Sequence, residues 1–135
     1  MKLPTPLLRD VRGVAVIELA LALPVLVAAV YGIFQIGLLY QANAGMQHAL
    51  GEGARLATLC VQTEDGCNPP SDAQIKERIA SKLFGKGDGT FTVNDPIAGN
   101  GYRELSVTYS KKMNLLFVNG PTISLNRSKR AYVVV

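Results

Sequence analysis

The run Gly13–Tyr40, GVAVIELALALPVLVAAVYGIFQIGLLY, decides how the rest of the chain is read. From Leu19 to Tyr40 it holds no charged residue. As a helix rising about 1.5 Å per residue, that uncharged part spans about 33 Å, close to the roughly 30 Å hydrocarbon core of a bilayer. In water the same run needs protein on every side, and a chain of 135 residues has little material for that. Residues 14–40 are therefore read as a transmembrane helix. Two residues make it more than an anchor. Glu18 is a lone carboxylate near its start, and Gly13 stands five residues before that carboxylate, directly after a short basic leader.

The leader, residues 1–13, is MKLPTPLLRDVRG. Pro4 and Pro6 make a poor helix interior. Lys2, Arg9 and Arg12 outweigh Asp10, and basic residues flanking a first membrane segment keep that flank in the cytoplasm. The N-terminus is read as inside, and residues after about 41 as outside, which in a bacterium means the periplasm or beyond. Three processing outcomes compete. The segment is an uncleaved anchor, or a secretory signal cut after Val27-Ala28-Ala29, or it is cut before the apolar run, between Gly13 and Val14. The secretory reading suffers because the apolar run continues for eleven residues past Ala29.

Residues 12–60 resemble the TadE-like pseudopilins of the tight-adherence (Tad, Flp, type IVc) pilus system. The residues that carry this are Arg12-Gly13, apolar Val14–Leu19 with Glu18, Leu23-Pro24, Gly32-Ile33-Phe34 followed by Gly37, and Gly53-Ala54-Arg55. The resemblance implies a prepilin peptidase that cuts after Gly13, so that Glu18 becomes the fifth residue of the mature chain. The sixth is Leu19, where the major pilins of the system typically carry tyrosine. That departure, and the length of the chain, favour a minor, TadE-type subunit. Implied partners are the peptidase, a TadF-type pseudopilin, the major Flp-type pilin and the inner-membrane pilus platform.

The chemistry at Glu18 fits this reading. A carboxylate inside the membrane costs about 2.5–3.5 kcal/mol on insertion scales. It becomes tolerable where a cation meets it, and cleavage after Gly13 creates one, the new ammonium of Val14. In an assembled bundle Glu18 of one subunit pairs with the Val14 amine of a neighbour, and because either charge alone is expensive the pair sets axial register more than it adds stability. The competing reading places Glu18 at the cytoplasmic interface, where a carboxylate is cheap, and makes Gly13 a flexible turn. Pro24 removes one N–H and frees the carbonyl of Ala20, so a kink is expected there.

Beyond the membrane the helix continues to about Cys60, giving an element of about 70 Å over residues 14–60. Gly45, Ala49, Gly53 and Ala57 recur every four residues and form a ridge that permits close helix approach. The ridge suits either a pilin bundle or packing against the chain's own head. The head, residues 61–135, is small for an independent core and needs the second half of the long helix. Cys60 and Cys67 enclose a short loop and are expected to pair in an oxidising periplasm, contributing about 2–3 kcal/mol. The alternative, free thiols or metal ligands, is poorer because no histidine stands nearby.

Ser71 and Gln74 form a capping box after Pro70. Ile75, Ile79, Leu83 and Phe84 then share one helix face, and Gly85 ends the helix. Gly87-Asp88-Gly89 is a turn rather than a phosphate loop, since no lysine motif or helix follows. From Phe91 the apolar period becomes two: Phe91 and Val93, then Leu105, Val107 and Tyr109, then Ile123 and Leu125. Pro96–Gly101 and Asn114–Pro121 read as loops, the second with Leu115, Leu116 and Phe117 in need of cover. Arg127–Val135 reads as a last strand. The expected fold is α+β and pilin-like: a long N-terminal transmembrane helix and a small head with one helix and an antiparallel sheet of about three strands.

The net charge is +4, and loss of the leader removes Lys2, Arg9, Arg12 and Asp10 to leave +2. That is too little to argue for nucleic acid, and the basic cluster Arg127, Lys129, Arg130 lacks interleaved aromatics, so it reads as an exposed strand face that guards an edge. No hydrolase, kinase, zinc or dinucleotide motif appears, and the single histidine, His48, has no nucleophile pattern beside it. No cofactor or metal is implied and the chain is not read as an enzyme. The leading expectation is a minor pilin or pseudopilin of the bacterial inner membrane that takes part in assembling or priming a pilus. The alternative is an uncleaved, membrane-tethered periplasmic adaptor.

Overall fold

The computed structural model describes residues 12–59, 61–63, 66–115 and 118–132. The first element is one helix, α1 (Arg12–Thr58), of 47 residues, which extends about 70 Å. It runs through Pro24 without a break. Its two halves have different surroundings. Every residue from Gly13 to Val30 is exposed. From Gln35 onward a stripe is buried: Gln35, Ala42, Met46, Ala49, Gly53 and Ala57 recur three, four or seven residues apart, the spacing of one helix face.

The upper half of α1 is the floor of the head. A two-stranded ribbon, β1 (Val61–Thr63) with β2 (Gly66–Asn68), follows it. The second helix, α2 (Asp72–Lys82), then packs on α1. Its start is the expected capping box: the Ser71 amide donates to Gln74 Oε1 at 3.0 Å and the Gln74 amide donates to Ser71 Oγ at 3.3 Å. Ile75 and Ile79 are fully buried. The helix stops at Lys82 rather than at Gly85. Leu83 turns to extended backbone, with φ −69° and ψ 136°, because the next residues run hard against α1. A Cβ on Gly45 would overlap the Phe84 carbonyl oxygen, and a Cβ on Gly85, whose φ is +77°, would stand 2.9 Å from the Gln41 carbonyl. Leu83 packs on the core, whereas the Phe84 side chain stays outside it, its ring edge-on to His48 with centroids 5.8 Å apart.

The main sheet has four strands, one more than the apolar pattern predicts: β3 (Thr90–Val93), β4 (Ile97–Gly99), β5 (Tyr102–Leu115) and β6 (Val118–Tyr132). All pairings are antiparallel. β6 lines one edge of β5 over its full length, and β3 and β4 share the other edge, β4 at the beginning of β5 and β3 further along. Gly87-Asp88-Gly89 is the turn into β3. Two expected loops contain paired strands. β4 has three exposed residues, so no apolar pattern betrays it. The β5–β6 ladder continues as far as Leu115 opposite Val118, with an irregularity between Lys112 and Asn114, and Pro121 is accommodated there because an irregular edge strand needs no N–H from it. The last strand begins at Val118, not at Arg127.

Period-two burial on β5 builds the core. Leu105, Val107 and Tyr109 are fully buried, between neighbours that are half-buried or exposed. Among the described residues six of the twelve buried apolar residues belong to α1, so that helix supplies half of the core of the head. The Tyr109 hydroxyl donates to the Lys86 carbonyl at 2.9 Å, and its ring lies against Gly89 and 4.9 Å from Phe91. Burial, then the Asp88 carboxylate, push the Tyr109 phenol above the ordinary tyrosine value, against a smaller lowering from the Gly89 backbone. The phenol therefore stays a donor at neutral pH.

The expected basic face on the last strand is divided. Register sets Arg127 opposite Val107 and Lys129 opposite Leu105, on the side that meets α1, and Arg127 Nε donates to Asn43 Oδ1 at 2.7 Å. Arg130 lies on the other side, with Glu104 at 3.5 Å and the Tyr102 ring at 4.9 Å. Arg103 ties β5 to the start of α2, donating to the Pro70 carbonyl at 2.7 Å and standing 3.3 Å from Asp72. Glu52 and Arg78 join α1 to α2 at 3.2 Å. These partly exposed pairs add about 1 kcal/mol each at most.

One polar contact lies deeper. Lys111 occupies the next core-facing position of β5 and is 3% exposed. Its Nζ donates to Gln35 Oε1 at 2.8 Å, and Gln35 Nε2 donates to the Tyr31 hydroxyl at 2.7 Å. A buried ammonium with an acceptor is tolerable; without one it costs more than a neutral orphan, which itself costs about 1–3 kcal/mol. Gln35→Leu is therefore expected to destabilise the full-length chain more than Lys111→Met, and the double variant to be milder than Gln35→Leu alone, in thermal unfolding in detergent. Additive effects would show that the two groups are not coupled.

Two glycines of α1 give a second expectation. Gly51 has only Lys129 Nζ near it, at 3.8 Å, so Gly51→Ala gains about 0.5–1 kcal/mol from helix propensity. Gly45→Ala meets the Phe84 backbone and loses about 1–3 kcal/mol by overpacking. The same unfolding measurement should move the midpoint up for the first and down for the second; equal shifts would contradict the packing described.

Candidate assembly site

The residues singled out for assembly lie on the lower half of α1. The helical path begins at Arg12 and includes Gly13 and Val14, both exposed, with nothing within 4 Å of where a Gly13 Cβ would stand. Glu18 follows Val14 by four residues, so it lies one turn further along the same helix face, about 6 Å up the axis. It is exposed among exposed apolar side chains, Ile17, Leu19 and Leu21. Among the described residues it makes no salt bridge. Pro24 stands within the same exposed stretch.

This surface does not suit water. The helix is long and apolar enough to cross a membrane, and none of its most apolar window is buried within the chain. Val16, Leu21, Val25 and Ile33 are each more than two-thirds exposed. Contiguous apolar surface on that scale marks a site covered by lipid or by other helices. One carboxylate on such a surface needs either a cation or the edge of the bilayer.

The small-residue ridge has a different setting. Gly45, Ala49, Gly53 and Ala57 are all buried against the chain's own head. A Cβ on Gly53 would overlap the Ile79 side chain, as one on Gly45 would overlap Phe84. Of the two uses the sequence leaves open for the ridge, the structure displays the internal one, and it leaves the exposed face of residues 13–34 as the part of α1 without protein cover. The structure thus separates residues that a sequence reading groups together: Gly13, Val14, Glu18 and Pro24 on the bare half, the ridge on the covered half.

Gln35 and Lys111 escaped the sequence reading, although each left a signal. Gln35 is the one amide side chain between Leu19 and Tyr40. Lys111 continues the alternation Leu105, Val107, Tyr109, which places it on the core side despite its charge. His48, by contrast, is exposed and meets only the Phe84 ring edge-on, a packing role rather than a chemical one. The leader apart from Arg12 and Gly13, the Cys60–Cys67 pair, and the side chains of Leu115, Leu116 and Phe117 lie outside the described residues. For the cysteines, only the backbone register is described, with Gln62 opposite Cys67.

No curated protein and no solved structure matches the chain. Residues 13–55 match the family model described as TadE-like protein. The match begins at Gly13, runs the length of the bare apolar half and ends within the small-residue ridge. Over residues 13–55, about a third of its length, the chain is therefore similar to the TadE-like family.

Proposed function

We propose that this protein is a minor pilin or pseudopilin that takes part in assembling or priming a Tad-type pilus, and that a prepilin peptidase trims it between Gly13 and Val14. The observation that supports the reading most is the bare apolar half of α1 with a single carboxylate one turn beyond Val14, in a stretch that matches the TadE-like family. The chain waits in the inner membrane with its leader in the cytoplasm and its head in the periplasm. It leaves the bilayer by exchanging lipid for the apolar helices of other subunits.

The charges follow from this path. While the leader is attached, Val14 contributes an amide and Glu18 has no cation from it. Trimming converts that amide to an ammonium and makes Val14 the first residue of α1. Glu18 then lies in the second turn of α1, near the positive end of the helix macrodipole. A neighbour's ammonium completes the pair, and because an unpaired charge in the bundle is costly, only one axial register satisfies both groups. The exposed helix face, rather than the ridge, makes this contact, because Gly45, Ala49, Gly53 and Ala57 are already occupied by the head. Partners of this class are a TadF-type pseudopilin, the major Flp-type pilin and the membrane platform. No reaction is assigned to the protein itself.

Intact mass and terminal sequencing of the chain from its native membranes test the proposal, together with co-purification of pilin partners. A chain that starts at Val14, with Glu18→Ala still trimmed but recovered with fewer partner subunits, is the expected result. A chain that starts at Met1, with Glu18→Ala behaving as the parent does, would establish an uncleaved tethered adaptor instead. A start near Val30 would mean a released secretory protein.

A further inference from the structure

The uncharged run extends to Tyr40, but the head already covers α1 from Gln35. These two facts conflict if the hydrocarbon reaches Tyr40. Between Gln35 and Asn43 the helix meets β5 and β6. Lys111 is hydrogen-bonded to Gln35, Arg127 to Asn43, and a groove beside Arg127 is lined by Ile36, Leu39, Tyr40 and Leu125. Submerging this level would put an ammonium, a guanidinium and the free edge of β6 into hydrocarbon. Charged side chains and unpaired strand groups are both costly in hydrocarbon. Against that, withdrawing residues 36–40 exposes apolar area that the head partly covers already, at Leu39.

We infer that the outer hydrocarbon boundary lies at Tyr31–Gln35, where the hydrogen-bonded series Tyr31, Gln35, Lys111 meets the lipid headgroups, about 7 Å short of Tyr40. Tyrosine is suited to that level, with an apolar ring and a polar tip. Within it, Ile33 and Phe34 are exposed apolar side chains, 71% and 60% accessible. The inward consequence follows from length. About 20 residues span the core, and counting back from Gln35 reaches Val16. Glu18 is then drawn to the inside of the inner boundary, and Val25 lies close to the bilayer centre. The inference rests on α1 spanning the membrane, as in the proposed function, and adds where along α1 the bilayer sits.

The chain has no tryptophan, so single substitutions at exposed sites report depth. Val25→Trp, Phe34→Trp and Tyr40→Trp are each placed in the full-length chain, in vesicles of phosphatidylcholine and phosphatidylglycerol whose acyl chains are brominated either near the headgroup or near the methyl end. The expected order is loss of Val25→Trp fluorescence mainly to deep bromines and of Phe34→Trp mainly to shallow ones. Tyr40→Trp should lose little to either and remain open to aqueous acrylamide. Tyr40→Trp quenched mainly by shallow bromines, with Phe34→Trp shifted toward the deep ones, would overturn the inference while leaving the membrane span intact. Val25→Trp open to acrylamide and untouched by lipid bromines would overturn both.

Discussion

The close approach of α1 to the head is the constraint on which the rest of the structure depends. Gly45 and Gly53 have no side chain to hold α2 and its following segment away, and Ala49 and Ala57 continue the same low ridge. Ile79 and the Phe84 backbone occupy the space. Replacing either glycine by a larger residue forces the helix and head apart, and half of the apolar core belongs to that helix. The capping box at Ser71 sets where α2 starts, and the extended Leu83 and positive-φ Gly85 turn the chain back along α1. The head is therefore a layer built on a helix, not a domain joined to one.

That construction determines how α1 is used. Its upper half spends its small and apolar face on the head and shows water a polar one. Its lower half spends nothing internally and presents apolar side chains all round, with Glu18 the exception. One continuous helix joins the two, so whatever holds the lower half in lipid or among other subunits also bears on where the sheet sits. Two polar groups then mark the limits of the bare region: Glu18 near one end, and Gln35 with Lys111 at the other. The first is without a salt bridge among the described residues; the second is satisfied within the chain.

Much of this was legible before the structure. The uncharged run announced the long helix because length and absence of charge leave few alternatives. The capping box, the buried pair Ile75 and Ile79, and the period-two strands were equally direct, since each is a local pattern with a local cause. What was missed had non-local causes. β4 pairs through its backbone while its three residues stay exposed, so nothing in their side chains signals a strand. The β5–β6 ladder persists through Asn114 because strand pairing, not apolarity, carries it. The end of α2 was misjudged because Gly85 answers to the Gln41 carbonyl on α1 rather than to the helix before it. Arg127 and Lys129 are exposed as expected, but register puts them opposite Val107 and Leu105, on the face that meets α1. For the candidate site, Gly13, Val14 and Glu18 were singled out through the family resemblance, and the structure adds that they lie exposed on one helix, whereas Gln35 and Lys111 become partners only through a contact 76 residues apart in sequence.

The most direct test of the shared helix is hydrogen exchange, resolved by peptide, on the full-length chain in lipid bilayers. If the upper half of α1 is the core of the head, amides from Ala42 to Ala57 lose protection in the same cooperative opening as Leu105 to Tyr109 of β5. The same opening free energy for both is the expected result. Early, separate exchange of Ala42–Ala57 while β5 stays protected would contradict it, and would mean that the head folds without the helix.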